Sequence, residues 1–125
     1  MNILELFNDW KSREEFTPRS VIFSEQDPAD AIYVVLSGEV QLSLHGQTIA
    51  TVDAGGLIGE MAMIPSATRN TTATAISDVA LARLDREAFR ELVDRSSEFS
   101  FHAMAALARR LREVDRYISE RIVNR

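Results

Sequence analysis

The sequence contains no cysteine and only two histidines, His45 and His102. A disulfide frame and a thiolate metal site are thereby excluded, and two imidazoles are too few for a histidine-rich metal centre. No apolar run approaches the roughly 20 residues of a membrane-spanning helix, and the N-terminus lacks the basic and apolar regions of a secretory signal. The cytoplasm is therefore the expected compartment, with no membrane partner. No activated nucleophile can be assembled from these residues, so the reading is not that of an enzyme, and no cofactor or metal is implied.

What remains is an ordinary globular balance in 125 residues, enough for one domain with a real core. The net charge of −5 is uneven. From Phe99 onward six arginines oppose Glu113, Asp115 and Glu120, so the part before Phe99 carries the acid. An acidic body argues against nonspecific nucleic-acid binding, which depends on neutralising phosphates. The basic tail reads as a solvated helix face.

Ile3, Leu6, Phe7 and Trp10 recur at helical spacing, and Asn2 with Glu5 has the form of a capping box. A helix from Asn2 to about Phe16 is expected, with Trp10 as a core anchor and Pro18 as its end. From Val21 the period becomes that of strands. Val21-Ile22-Phe23 precedes a turn-rich stretch, and Ile32 to Leu36 is continuous in hydrophobicity, the sign of a strand buried on both faces. Val40, Leu42 and Leu44 alternate with polar residues, and His45-Gly46-Gln47 turns the chain into a strand over 48–52. Two more strands, 72–76 and 79–84, flank Ser77-Asp78. Many short strands with regular turns point to an antiparallel sandwich or roll. Asp85 is placed to cap a helix striped by Ala88, Phe89, Leu92 and Val93, and Ser96 or Ser97 opens a long last helix.

The stretch from Val52 to Ala75 organises the rest. Gly55, Gly56 and Gly59 follow a strand, and Met61 to Ile64 allows one or two helical turns before Pro65. Glycines let backbone N–H groups approach a ligand, and the first N–H groups of a helix form an anion site. Arg69 adds a permanent cation. Glu60 would repel an anion unless its carboxylate meets a neighbouring hydroxyl. A phosphate cradle beside a hydroxyl acceptor describes a sugar phosphate or a nucleotide. No Walker lysine follows Gly59, and no Gly-x-Gly-x-x-Gly opens a long helix, so the two common phosphate motifs do not apply.

Gly59-Glu60-Met61-Ala62-Met63, with Arg69, Thr72 and Ala75, resembles the phosphate-binding cassette of the cyclic nucleotide-binding domains. That superfamily includes the catabolite-activator (Crp/Fnr-type) regulators and the regulatory subunits of cyclic-AMP-dependent kinase. The likeness extends to Val21–Asp27 and Ile32–Val40, and in all it covers about four-fifths of the chain, from Val21 to the last helix. It implies an α+β, mainly β architecture: an antiparallel jelly-roll (double-stranded β-helix, cupin-like) barrel with a short N-terminal helix and a long C-terminal dimerisation helix. The expected division of the single domain 1–125 is an N-terminal helix over 1–17, a β-roll over 18–84 with its cassette at 55–75, and C-terminal helices over 85–125.

The resemblance also assigns roles. Gly59 and Ala62 would offer N–H groups to the cyclic phosphate, Glu60 would accept from the ribose 2′-hydroxyl, and Arg69 would pair with the exocyclic oxygens. Met61, Asn70, Thr71 and Thr72 complete the cassette's share of the site. Asn70 stands where many members carry serine or threonine, and Gly56 where an acidic or polar residue is usual. Gly38 would turn the barrel's corner, and Glu39 would brace Arg69. Over the purine the last helix would lay Val114 and Asp115, whose acceptor-only carboxylate suits the amino group of adenine. Cyclic AMP is thus expected ahead of cyclic GMP.

The last helix carries Met104, Leu107, Leu111, Val114 and Ile118 at alternating three- and four-residue steps, a seam suited to a coiled coil. Some 27 residues would span about 40 Å, more than so small a barrel can cover, so a homodimer is expected. Ala108 to Leu111 resembles the regulators' dimer helix. Those regulators carry a helix-turn-helix domain beyond it, whereas this sequence stops at Arg125. The expectation is a stand-alone homodimeric sensor with a protein effector of unknown identity and no DNA binding of its own. The alternatives are a Crp/Fnr-type regulator lacking its helix-turn-helix domain, and a degenerate, ligand-free dimerisation module.

Overall fold

Alternation sorts the strand side chains of this protein onto two faces, and two separate cores result. In the computed structural model, which describes residues 2–123, eight strands form two four-stranded antiparallel sheets. They are β1 (Arg13–Phe16), β2 (Val21–Phe23), β3 (Ile32–Ser37), β4 (Val40–Leu44), β5 (Gln47–Val52), β6 (Leu57–Ile58), β7 (Thr72–Ala75) and β8 (Val79–Leu84). One sheet has the order β1-β8-β3-β6 and the other β2-β7-β4-β5. Two helices follow, α1 (Arg86–Arg95) and α2 (Ser97–Val123). Arg125, the last arginine of the basic tail, lies outside the described residues.

The first core fills the space between the sheets with Phe23, Tyr33, Val35, Val40, Leu42 and Ile58, among others. The second lies between the first sheet and the helices, where Ile32, Val34 and Leu84 meet Phe89, Leu92 and Phe99. Successive residues of β3 therefore point into different cores, which is why its hydrophobic run is unbroken. Phe7 and Phe89 both stand edge-on to Phe99, with ring centroids 6.1 and 5.6 Å apart. Burying each such ring contributes about 1.5–3 kcal/mol.

The local signals act where they were read. Asp85 caps α1 by accepting from the Ala88 N–H at 2.8 Å, and Ser96 Oγ accepts from the Phe99 N–H at 3.0 Å. His45 and Gly46 both have positive φ, 50° and 80°, as a tight hairpin between β4 and β5 requires. Gly38 has φ 87°, and a Cβ there would sit 2.1 Å from the Asp78 carbonyl oxygen, so the corner admits only glycine.

The N-terminal segment is a correction. Helix is confined to one 3-10 stretch, Ile3–Phe7, capped by the Asn2 side chain. Residues 13–16, expected to continue that helix, instead form β1 along β8, with Arg13 opposite Ala82 and Phe16 opposite Val79. The edge of β8 offers unpaired backbone groups, and satisfying them outweighs the helical spacing of a few apolar residues. Trp10 does anchor this segment: its ring lies 5.0 Å from Phe7, and its indole N–H donates to the Arg83 carbonyl at 2.9 Å.

Candidate functional site

Between β6 and β7 the chain turns at Gly59, whose φ of 81° is left-handed, into a 3-10 helix over Glu60–Met63. The space beside Gly59 is taken by Arg69. A Cβ at residue 59 would lie 2.7 Å from Arg69 Nη1 and 3.0 Å from the Ala31 carbonyl oxygen.

Arg69 is only 2% exposed. Its backbone is clamped to the loop before β3, donating to Asp27 O at 2.7 Å and accepting from the Gln26 N–H at 2.9 Å. The guanidinium packs over Phe23 at 4.3 Å and lies 5.9 Å from the Tyr33 ring, a cation–π setting. Nη1 donates to Gly59 O at 2.9 Å, and Nη2 lies 3.5 Å from Asp30 Oδ1. Nε has no partner among the described residues. Burial lowers the pKa of Arg69, against the opposing influence of Tyr33 and of Asp30, Glu60 and Asp27. Burial likewise raises that of Tyr33, with the Glu14 charge adding to the rise.

The expected brace is displaced. Glu39 is exposed, and its recorded bonds are backbone ones, with its N–H on Ser77 Oγ at 3.0 Å and its carbonyl accepting from the Ile76 N–H at 2.9 Å. The carboxylate facing Arg69 is Asp30. The Ala62 N–H donates to Gly59 O at 3.1 Å and closes the 3-10 turn. That turn is held from α1 as well, by Arg86 Nε and Nη2 donating to Ala62 O at 3.3 and 3.2 Å.

Glu60 has a partner that sequence reasoning missed. Arg110 on α2 places Nη1 3.2 Å from Glu60 Oε2, donates from Nη2 to Leu57 O at 2.7 Å and from Nε to Glu113 Oε1 at 3.2 Å. The available signal was its position. Arg110 follows the buried Ala103 and Ala106 on the inward face of α2, where an arginine needs an acidic partner.

Met61 and Thr71 are half-buried and Asn70 is exposed. Thr72 binds Glu25, whose N–H donates to Thr72 Oγ1 at 3.1 Å. Glu25 also accepts from the His45 N–H at 3.1 Å, tying the β4–β5 hairpin to the cassette strand. Val114 is half-buried and Asp115 is exposed on the outer side of α2. Gly59, Glu60, Ala62 and Arg69 therefore form one constellation, which Val114 and Asp115 do not join through any recorded contact.

A buried cation with an unsatisfied donor, next to a carboxylate and below a long helix, agrees with the family named by the motif. The profile of the Cyclic nucleotide-binding domain family matches residues 13–96. The chain belongs to that family. The cyclic AMP receptor protein of Thermus thermophilus is 39% identical over 99 residues, covering 75% of this chain and 46% of its own. The cGMP-dependent protein kinase egl-4 of Caenorhabditis briggsae is 36% identical over 74 residues, covering 59% of this chain and 10% of its own. The crystal structure of the Thermus thermophilus catabolite activator protein superposes with a TM-score of 0.73 at 32% identity, covering 93% of this chain and 57% of that one. This cyclic nucleotide-binding domain thus spans half or less of the length of these two curated relatives. No helix among its described residues is long and apolar enough to cross a membrane.

Proposed function

We propose that this domain is a regulatory sensor of cyclic AMP, with cyclic GMP as the weaker ligand, acting in the cytoplasm as a homodimer joined through α2. The observation that carries the reading is the buried Arg69 guanidinium with its unpartnered Nε. A desolvated cation with a free donor is stabilised by an anion, and the cyclic phosphate is the anion the family's cassette takes. In this reading Gly59, Met61, Ala62, Asn70, Thr71 and Thr72 form the cassette's contact surface, and Glu60 accepts from the ribose hydroxyl. Arg110 joins them by holding Glu60. The sheets form a jelly-roll barrel with α2 as the dimerisation helix. Asp115, on the outer side of α2, reads adenine in the site of a second copy, and Val114 packs on the purine there. The domain by itself does not bind DNA, and its output passes to a protein effector.

Calorimetric titration with cyclic AMP and cyclic GMP tests the reading. Arg69→Ala would leave the phosphate unpaired at a cost of ~2–5 kcal/mol, so affinity should fall at least ~30-fold. Equal affinity for wild type and Arg69→Ala would overturn it, as would a wild type that binds neither nucleotide.

A further inference from the structure

The carboxylate opposite Arg69 is shared. Asp30 turns Oδ1 to Arg69 Nη2 at 3.5 Å and Oδ2 to Arg83 Nη2 at 3.6 Å. Arg83, on β8, is in turn 3.7 Å through Nε from Glu14 Oε2 on β1. The four charges form a row, Arg69–Asp30–Arg83–Glu14, running from the buried guanidinium to the edge of the first sheet. Its inner end is 2% exposed at the side chain, whereas Asp30 is 70% and Arg83 34% exposed. The backbone of Arg83 is fixed independently, its N–H on Ser12 O at 2.7 Å and its carbonyl under the Trp10 indole at 2.9 Å. Its side chain can therefore be changed without unpairing the strand.

The geometry points to Arg83 as a positioning residue for ligand binding, acting through Asp30 by holding that carboxylate away from the phosphate arginine. The inference rests on the proposed nucleotide site. Asp30 is the carboxylate within ion-pair distance of Arg69, and Glu60 is engaged by Arg110. A phosphate arriving at Arg69 makes Asp30 a neighbouring like charge. Asp30 must then either repel the ligand or pair elsewhere, and Arg83 is the cation already in place to receive it. Removing the Arg83 charge leaves Asp30 committed to Arg69, so the ligand must compete with it. Replacing Asp30 by asparagine removes the competition and makes Arg83 irrelevant to affinity.

The experiment is a double-mutant cycle on cyclic AMP affinity, by calorimetry, across wild type, Arg83→Gln, Asp30→Asn and the double variant. Arg83→Gln should weaken binding about three- to fivefold, the upper range for partly exposed charges. In the Asp30→Asn background the same change should move affinity less than about 1.5-fold. Arg83→Lys, which keeps the charge, should stay within about twofold of wild type. A merely structural Arg83 would lower thermal stability and weaken binding equally in both backgrounds, and that result overturns the proposal. So does an unchanged affinity in Arg83→Gln when the wild type binds. A wild type that binds no cyclic nucleotide overturns the proposed function, and this inference with it.

Discussion

A guanidinium withdrawn from water costs several kcal/mol unless its hydrogens are met, and Arg69 meets that demand only in part. Gly59 is as much a component of this arrangement as the arginine. Its left-handed φ of 81° and its missing side chain let Nη1 reach its own carbonyl oxygen at 2.9 Å. Gly59→Ala would strain the backbone by roughly 1–2 kcal/mol and push a methyl group to within 2.7 Å of Nη1. The guanidinium is walled by Phe23 and Tyr33, and the added methyl group would itself lie 3.0 Å from the Ala31 carbonyl oxygen, which blocks its retreat on the other side. Gly59→Ala should therefore lower stability by about 1–3 kcal/mol in denaturant unfolding and weaken cyclic AMP at least ~10-fold. A variant as stable and as tight-binding as wild type would contradict this account of the residue.

At the scale of elements, α2 divides its surface in two. Phe99, Ala103 and Ala106 are buried inward, and Arg110, Glu113 and Tyr117 continue that face. The Tyr117 hydroxyl reaches Gln47 Oε1 at 3.4 Å, so the helix follows its own sheets farther than its length alone implied. Outward stand Phe101, Met104, Leu111, Ile118 and Ile122, each at least half exposed, whereas Leu107 and Val114 of the expected seam are half-buried. Phe101, Met104, Ala108, Leu111, Asp115, Ile118 and Ile122 follow three- and four-residue steps, with Asp115 the one charge among them. If α2 pairs with a second copy, Leu111→Asp with Ile118→Asp should give a monomer in light scattering at unchanged helix content, because desolvating those carboxylates is costly. A wild type already monomeric at high micromolar concentration would end the homodimer reading.

The same scale shows what could be read from sequence. The strands β2–β5, β7 and β8 announce themselves because each has a pattern matched to the core it faces, and the Asp85 cap is a local interaction, whereas the two residues of β6 are too short to show a period and went unread. The N-terminal segment is misread because β1 exists through pairing with β8, and Arg13-Glu14-Glu15 has no pattern that declares a partner nearly 70 residues away. At the site, glycine, glutamate and arginine were legible from spacing and resemblance. Asp30 and Arg110 were not, because each acquires its role only when the fold brings it to Arg69 or Glu60.

For the molecule as a whole, the loops of the proposed nucleotide site are also loops that hold the fold together. The segment 24–30 pairs with 67–69 through the backbone of Arg69, through Ala29 donating to Ala67 O, and through the Pro28–Thr68 bridge. α1 grips the cassette by Arg86, and α2 grips it by Arg110. A ligand that satisfies Arg69 therefore stabilises contacts reaching both sheets and both helices, and native-state binding should appear as resistance to heat. At a ligand concentration 100 times Kd the gain is about 2.7 kcal/mol. For a domain of this size each kcal/mol raises Tm by about 4 °C, so cyclic AMP should lift the melting temperature by about 10 °C. Arg69→Ala should lose most of that rise at the same concentration, because a ~30-fold weaker Kd leaves the ligand only about threefold above it. The rise left to it is then about 3 °C. Equal rises in the two proteins would mean that the nucleotide stabilises some other surface, and that the buried arginine is a structural cation only.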